Sequence, residues 1–189
     1  MNKTLIVDGN YFAHRCLGIC NMQNSNHLKT PYEIDEFKNA LSNNLIRLWE
    51  GLSRFCDNMI IVADDYSWRK QPMFIESYRP YYIKPDSDEV IGYKEQRQKR
   101  HEESETDYTA FFKTYREWFD HLMKMFNDDN KGLKAIRVPS LEGDDLIHLI
   151  TENNKDTFFV LFATDQDLVQ TVTDNVMLYS PIKKVSGFM

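Results

Sequence analysis

The chain has 189 residues, of which 42% are hydrophobic and 13% aromatic, and its formal net charge is −6. This length suffices for one domain with a sizeable core, and the composition excludes general disorder. The first apolar run stops at Asp8 and the longest, at 158–163, is short, so we expect neither a signal peptide nor a membrane span. We therefore expect a cytosolic protein.

The charge is unevenly distributed along the chain. Residues 66–101 contain eight Lys or Arg against five Asp or Glu, a balance of +3, which leaves the remaining residues at −9. A negative overall charge argues against nucleic-acid binding, because phosphate affinity normally comes from Lys and Arg. One basic segment in an acidic body keeps that function open.

Three cysteines, Cys16, Cys20 and Cys56, occur in the sequence. Their number is odd and they have no C-x-x-C spacing. We interpret them as reduced, small, semi-buried side chains, and not as a disulfide set or a zinc site.

In chain order, the first half predicts a strand, a helix and a second strand. A short strand at 4–7 ends on a turn at 8–10, and residues 59–63 form another buried strand. Between them, apolar residues recur at steps of three and four, as on one face of a helix. These residues are Ile34, Phe37, Leu41, Leu45, Leu48, Leu52 and Phe55. A strand, a helix and a strand imply a parallel unit with a right-handed crossover.

The second half continues the alternation. Helical spacing over 108–126 predicts a long crossover helix, and Ala135, Ile136 and Val138 indicate a third strand. A helix to about Asn153, a fourth strand at 158–163, a short helical piece at 168–172 and a fifth apolar run at 176–179 follow. We predict an α/β fold with a parallel sheet.

Residues 66–105 interrupt this pattern and interleave aromatic with basic side chains. The candidate nucleic-acid contacts in this segment are Trp68, Arg69, Lys70, Tyr93, Lys94, Arg97, Lys99 and Arg100. Lys and Arg can clamp a phosphate, and Tyr or Trp can stack on an unpaired base at about 1 to 3 kcal/mol each. The alternative is a solvated, protease-sensitive insertion. We favour the functional interpretation because the segment directly follows an acidic strand end.

Carboxylates follow four of the predicted strands. They are Asp8, Asp64, the group Glu142, Asp144 and Asp145, and the pair Asp165 and Asp167. The carboxyl ends of parallel strands share one edge, where ligands bind at a switch point, so we expect the acids to converge. Oxygen ligands suit Mg²⁺ or Mn²⁺ better than zinc. The alternative for Glu142, Asp144 and Asp145 is solvated acids in a first helical turn, each stabilised by about 0.3 to 1 kcal/mol.

Such a site predicts hydrolysis of phosphodiesters without a nucleophilic side chain, because cations held by carboxylates polarise phosphoryl oxygens and acidify water. Asp65 and Asp145 either bind through water or are solvated, and His148 is better explained as a surface residue than as a ligand. A phosphatase of the haloacid-dehalogenase type is disfavoured, since its leaving-group acid would stand at position 10, which is Asn10.

Five motifs in order resemble those of the 5′-nuclease (flap endonuclease) superfamily, and within it the phage 5′→3′ exonucleases. They are Leu5-Ile-Val-Asp8-Gly-Asn10, Trp68-Arg69-Lys70, Tyr93-Lys94-x-x-Arg97, Glu142-Gly-Asp144-Asp145 and Thr164-Asp165-Gln-Asp167-Leu168. The resemblance covers nearly the whole chain. It implies one PIN-like domain over 1–189, with a basic arch at about 66–105.

The resemblance also implies an activity, which is two-metal hydrolysis of RNA primers or 5′ flaps during replication or repair, in the cytosol of a phage's bacterial host. The metal ligands, direct or through water, would be Asp8, Asp64, Glu142, Asp144, Asp145, Asp165 and Asp167. Lys94 and Arg97 would contact the scissile phosphate. The implied partners are DNA or an RNA/DNA hybrid with a single-stranded 5′ end, and replication proteins, with no membrane.

The sequence departs from the family after residues 176–179. A Gly-Asp-x-x-Asp pair and a helix–three-turn–helix motif would follow there, and the chain instead ends ten residues beyond Tyr179. We therefore expect a second metal site that is incomplete and a weaker grip on duplex DNA. The alternative function is a truncated, catalytically impaired nucleic-acid-binding module, or a fragment that needs a partner chain.

Overall fold

A computed structural model describes residues 2–65, 82–83, 90–91, 100–129 and 132–179. The strands are β1 (Asn2–Asp8), β2 (Asn58–Val62), β3 (Tyr82–Ile83), β4 (Val90–Ile91), β5 (Leu133–Ile136), β6 (Thr157–Phe162) and β7 (Val176–Tyr179). The helices are α1 (Gly9–Asn24), α2 (Pro31–Leu52), α3 (Tyr108–Asp129) and α4 (Gly143–Asn153), with a 3₁₀ helix at Asp167–Thr171.

Five strands form one parallel sheet in the order β5-β2-β1-β6-β7. The chain runs outward from β1 to β5 and then returns to the other side of β1, where β6 pairs with it. The carboxyl end of β1 therefore lies at the topological switch point, the place where open α/β sheets bind ligands. A separate antiparallel pair joins β3 and β4, with Tyr82 opposite Ile91.

The two faces of the sheet carry different helices, as alternation along β1 requires. Leu5 and Val7 belong to a core built with α1, α2 and α3, whereas Ile6 belongs to a second core built with α4 and the 3₁₀ helix. Three helices thus cover one face and α4 covers the other. The predicted α/β fold with a parallel sheet and helices on both faces is confirmed.

Local sequence signals account for the start of α2. Helix α2 begins with Pro31 behind a capping box, in which the Thr30 hydroxyl accepts from the Glu33 N–H and the Glu33 carboxylate accepts from the Thr30 N–H. Helix α3 is tied to α2 by a 3.1 Å hydrogen bond from Trp118 Nε1 to Ser42 Oγ.

Three details of the sequence prediction are wrong. Residues 8–10 are not a turn, because Asp8 caps a helix that begins at Gly9, and the buried Phe12, Cys16 and Cys20 give that helix its inner face. Phe55 lies beyond the end of α2 and is 66% exposed. Val138 follows the end of β5.

The cysteines are free, as predicted, but Cys16, Cys20 and Cys56 are fully buried and not semi-buried. Burial raises the pKa of the Cys16 thiol to about 12. Within the part of the chain that the structure describes, no helix is long and apolar enough to cross a bilayer.

Candidate metal centre

The predicted acidic residues all follow strand ends at the same edge of the sheet. Asp8 ends β1, Asp64 lies two residues beyond β2, and Asp165 lies three residues beyond β6. Glu142, Asp144 and Asp145 occupy the N-terminus of α4, which follows β5. Because β1 and β2 are adjacent and parallel, Asp8 and Asp64 are neighbours at the switch point.

Asp8 caps helix α1 and has a raised pKa. Its Oδ1 accepts the Tyr11 N–H at 3.0 Å and thereby caps α1. Burial, followed in size by the nearby charges of Asp144 and Asp64, raises the pKa of Asp8 from 3.8 to about 7. The residues that the structure describes therefore compensate the charged carboxylate poorly, which is the condition that a bound cation relieves.

Asp64 is held against the opposite helix. Its Oδ1 accepts the Gly143 N–H at 2.6 Å, and this N–H belongs to the first turn of α4. A Cβ on Gly143 would lie 3.0 Å from the same oxygen, which is closer than side chains normally pack. Glycine at position 143 thus lets the carboxylate reach the helix N-terminus, where the helix dipole favours negative charge.

Asp65 fixes the loop that leads into α4. Its Oδ2 accepts the Ser140 N–H at 3.2 Å and its Oδ1 accepts from Arg116 at 3.1 Å, while its own N–H donates to Leu141 O at 3.0 Å. Ser140 has φ +68°, a left-handed conformation that is unfavourable for serine. Asp65 is therefore a structural anchor of this loop in the structure.

The remaining acids differ in exposure. Glu142 is buried and precedes α4, Asp144 and Asp145 lie partly buried in its first turn, and Asp165 and Asp167 are exposed. Asp165 Oδ1 accepts the Asp167 N–H at 2.9 Å, which stabilises the start of the 3₁₀ helix. His148 is exposed, in accord with its interpretation as a surface residue.

The donor set fits a hard divalent cation by its chemistry, since it consists of carboxylate oxygens with a raised pKa at its centre. Among the described residues, no three His, Cys, Asp or Glu side chains stand close enough to hold an ion as they are placed. A cation would therefore have to draw Asp8, Asp64 and Asp144 together from positions at which they already interact electrostatically.

One residue beside this site was predicted only as part of the long helix at 108–126. Tyr115, on the inner face of α3, places its hydroxyl 2.4 Å from the point that a Cβ on Gly9 would occupy, and Val62 O lies 2.5 Å from that point. Position 9 must therefore be glycine for α1, β2 and α3 to meet behind Asp8 and Asp64. The sequence offers a partial signal, because Gly9 follows directly on an acidic strand end.

Most of the predicted nucleic-acid-binding residues lie outside the described part of the chain. They are Trp68, Arg69, Lys70, Tyr93, Lys94, Arg97 and Lys99. Arg100 is described and is exposed. The proposed contacts of these residues therefore remain predictions.

Structures of the phage T5 5′-exonuclease share this architecture. The D15 protein crystallised with metal ions aligns over 95% of this chain at a TM-score of 0.58 and 17% identity. The T5 D15 flap endonuclease in a pseudo-enzyme–product complex with DNA and metal ions gives 0.59 and 16% over the same share. The chain has the 5′-exonuclease fold.

The chain also aligns with the structure of the T5 5′-exonuclease bound to divalent zinc ions, at a TM-score of 0.57 and 17% identity. The chain spans about half of these T5 proteins, 55% of their length. No protein-family model and no curated protein matches the sequence. The resemblance to 5′-nucleases is thus confirmed at the level of the fold.

Proposed function

We propose that this chain is a divalent-metal-dependent 5′-nuclease, which hydrolyses phosphodiesters in DNA or RNA/DNA hybrids that carry a single-stranded 5′ end. The observation that carries the proposal is the placement of Asp8, Asp64 and Asp144 at the switch-point edge of a 5′-exonuclease fold, where the charges of Asp64 and Asp144 act on Asp8. Partly buried like charges at a ligand-binding edge are costly without a function. The T5 proteins of this fold, crystallised with metal ions and with DNA, support the same conclusion.

The residues that would hold Mg²⁺ or Mn²⁺ are Asp8, Asp64, Glu142, Asp144, Asp145, Asp165 and Asp167, some of them through water. Bound there, a divalent cation would polarise a phosphoryl oxygen and lower the pKa of a water molecule, so no nucleophilic side chain would be required. The contribution of the protein is geometric. Asp64 is oriented by the Gly143 N–H, and Asp8 by the Tyr11 N–H.

The substrate would be held by the basic segment. Lys94 and Arg97 are proposed to contact the scissile phosphate, and Tyr93 and Trp68 to stack on unpaired bases. Arg69, Lys70, Lys99 and Arg100 would bind the backbone of the single strand, which makes binding steeply dependent on salt.

The deciding experiment compares three proteins in a cleavage assay on a 5′-flapped duplex and on an RNA-primed duplex, with and without Mg²⁺. The wild-type chain should release the 5′ strand only with the ion, and Asp8→Asn should lower the rate at least about 100-fold while preserving the helix cap. The control is Asp156→Asn, at an exposed position just before β6, at the opposite edge of the sheet.

Three results separate the possibilities. Loss of cleavage in Asp8→Asn and wild-type rates in Asp156→Asn support the proposal. Metal-independent cleavage, or equal rates in all three proteins, refutes it. Salt-dependent binding of flapped DNA without any cleavage by the wild-type chain indicates a binding module in place of an enzyme.

A further inference from the structure

A buried hydroxyl lies behind the acidic edge and has no hydrogen-bond partner among the residues that the structure describes. Tyr115 is 7% exposed and its ring packs against Phe111, Trp118 and Phe119, with ring centroids 6.0 to 6.4 Å apart. Its Oη makes no hydrogen bond in the described part of the chain. An unpaired buried hydroxyl destabilises a fold, so phenylalanine would satisfy the packing better than tyrosine does.

The position of this hydroxyl links it to two candidate ligands. It lies beside the backbone of Gly9, the residue after Asp8, and beside the Val62 carbonyl, two residues before Asp64. Both of those carboxylates act electrostatically on the Tyr115 hydroxyl, and burial together with these charges keeps its pKa well above the ordinary value. A tyrosine hydroxyl carries its proton at neutral pH, so this group is available as a donor.

We propose that Tyr115 is a positioning residue, whose hydroxyl donates a hydrogen bond to the Asp8 or Asp64 carboxylate, directly or through one water, when a divalent cation draws these side chains together. This inference rests on the proposed function. Hydrogen bonds to metal-binding carboxylates orient them, and loss of such a bond typically weakens metal affinity about 10- to 100-fold. The unpaired hydroxyl is then explained as a donor whose acceptor is in place only in the metal-bound state.

The test is Tyr115→Phe, for which stability and metal affinity are both measured. A residue with a purely structural role would change the two together. Urea unfolding of the metal-free chain should show unchanged or higher stability, because the variant removes only an unpaired hydroxyl. Titration with Mn²⁺ should show affinity about tenfold or more below wild type. The matched control is Tyr32→Phe in α2, where the side chain is 75% exposed, and both measurements should match wild type.

A second measurement uses the wild-type chain, so it does not depend on whether a variant at position 115 folds. In the wild-type chain labelled with ¹³Cζ-tyrosine, the resonance of Tyr115 should shift on addition of Mg²⁺, whereas that of Tyr32 should not. A new hydrogen bond at the hydroxyl changes the shielding of the attached carbon.

The outcomes are distinguishable from a failure of the proposed function. Wild-type affinity for Mn²⁺ in Tyr115→Phe, or a Tyr115 resonance that Mg²⁺ does not move, overturns the positioning role while the metal site stands. A parallel loss of stability and affinity assigns Tyr115 to the core alone. A wild-type chain that binds no Mn²⁺ refutes the metal-dependent function itself, and the positioning role with it.

Discussion

The Gly143 N–H and the Asp64 carboxylate are joined by a 2.6 Å hydrogen bond, which connects the end of β2 to the start of α4. Glu142 precedes Gly143 in the sequence, and Asp144 and Asp145 follow it. The bond therefore fixes the distance between the acid that follows one strand and the acidic turn that follows another. It makes the backbone of α4 part of the candidate site.

Gly143→Ala should separate metal affinity from stability. The new Cβ would stand 3.0 Å from Asp64 Oδ1, so the carboxylate must move by a few tenths of an ångström. We expect affinity for Mn²⁺ to fall about tenfold, with little change in the free energy of unfolding, since alanine favours the helix. Calorimetric titration and urea unfolding measure the two quantities.

The control for this change is Gly18→Ala in α1, where a Cβ would meet nothing within 4 Å. It should raise the free energy of unfolding by about 0.5 to 1 kcal/mol and leave metal affinity unchanged. Equal metal affinity in Gly143→Ala and wild type would contradict the importance of the bond to Asp64.

Arg116 and Ser140, which both donate to the Asp65 carboxylate, should contribute unequally to stability. Arg116 is 60% exposed, so Arg116→Gln should lower the free energy of unfolding by at most about 1 kcal/mol. Asp65→Ala also leaves the Ser140 N–H without its acceptor, in a residue with φ +68°, and should lower it by about 1 to 3 kcal/mol. Urea unfolding of both variants checks the order.

A reference for the exposed pair is Glu152→Gln, which removes the charge pair with Lys155 on the surface. Its effect should resemble that of Arg116→Gln. If Asp65→Ala lowered stability no more than these two variants, the loop at 138–142 would not depend on Asp65.

The stability of the metal-free chain should depend on the protonation of Asp8. Its pKa is raised to about 7 in the folded state, mainly by burial, and lies near 3.9 in an unfolded chain. Between these two pKa values Asp8 is protonated in the folded state and ionised in the unfolded state. The proton on folded Asp8 therefore stabilises the fold fully below about pH 4, and this stabilisation is lost as the pH rises to 7.

Asp8→Asn removes this dependence and keeps the helix cap. Relative to wild type, we expect the variant to gain about 1 to 3 kcal/mol in free energy of unfolding between pH 4.5 and pH 7.5, because the partly exposed side chain moderates the effect. Urea unfolding at several pH values measures the difference, and Asp156→Asn should show none. A difference that stays constant with pH would contradict the raised pKa.

Metal binding should compete with the same proton. Below about pH 7 a cation must displace the proton of Asp8, so affinity for Mg²⁺ should rise up to about tenfold per pH unit and level off above pH 7. Calorimetry in two buffers with different ionisation enthalpies should detect about one proton released at pH 6 and fewer at pH 8. Affinity that does not vary between pH 5.5 and 7 would exclude Asp8 as a ligand.

Local patterns in the sequence determined the five strands of the parallel sheet, most of the helices and the acids that follow four of these strands. Short apolar runs ending on Asp8, Asp64 and Asp165 are sufficient for this, because strand burial and the change to polar residues are local properties. The helix at Gly9–Asn24 could also have been predicted from Phe12, Cys16 and Cys20, which recur at intervals of four.

The tertiary structure alone decided which groups meet. Helical periodicity defines the buried face of α3, but it does not indicate which strand ends lie beside that helix. The sequence therefore could not show that the Tyr115 hydroxyl lies beside Gly9. Nor could it show that the next residue, Arg116, pairs with Asp65. The raised pKa of Asp8 likewise depends on burial by elements distant in sequence and on charges supplied after β2 and β5. Desolvation and charge repulsion act through space, and the fold determines those distances.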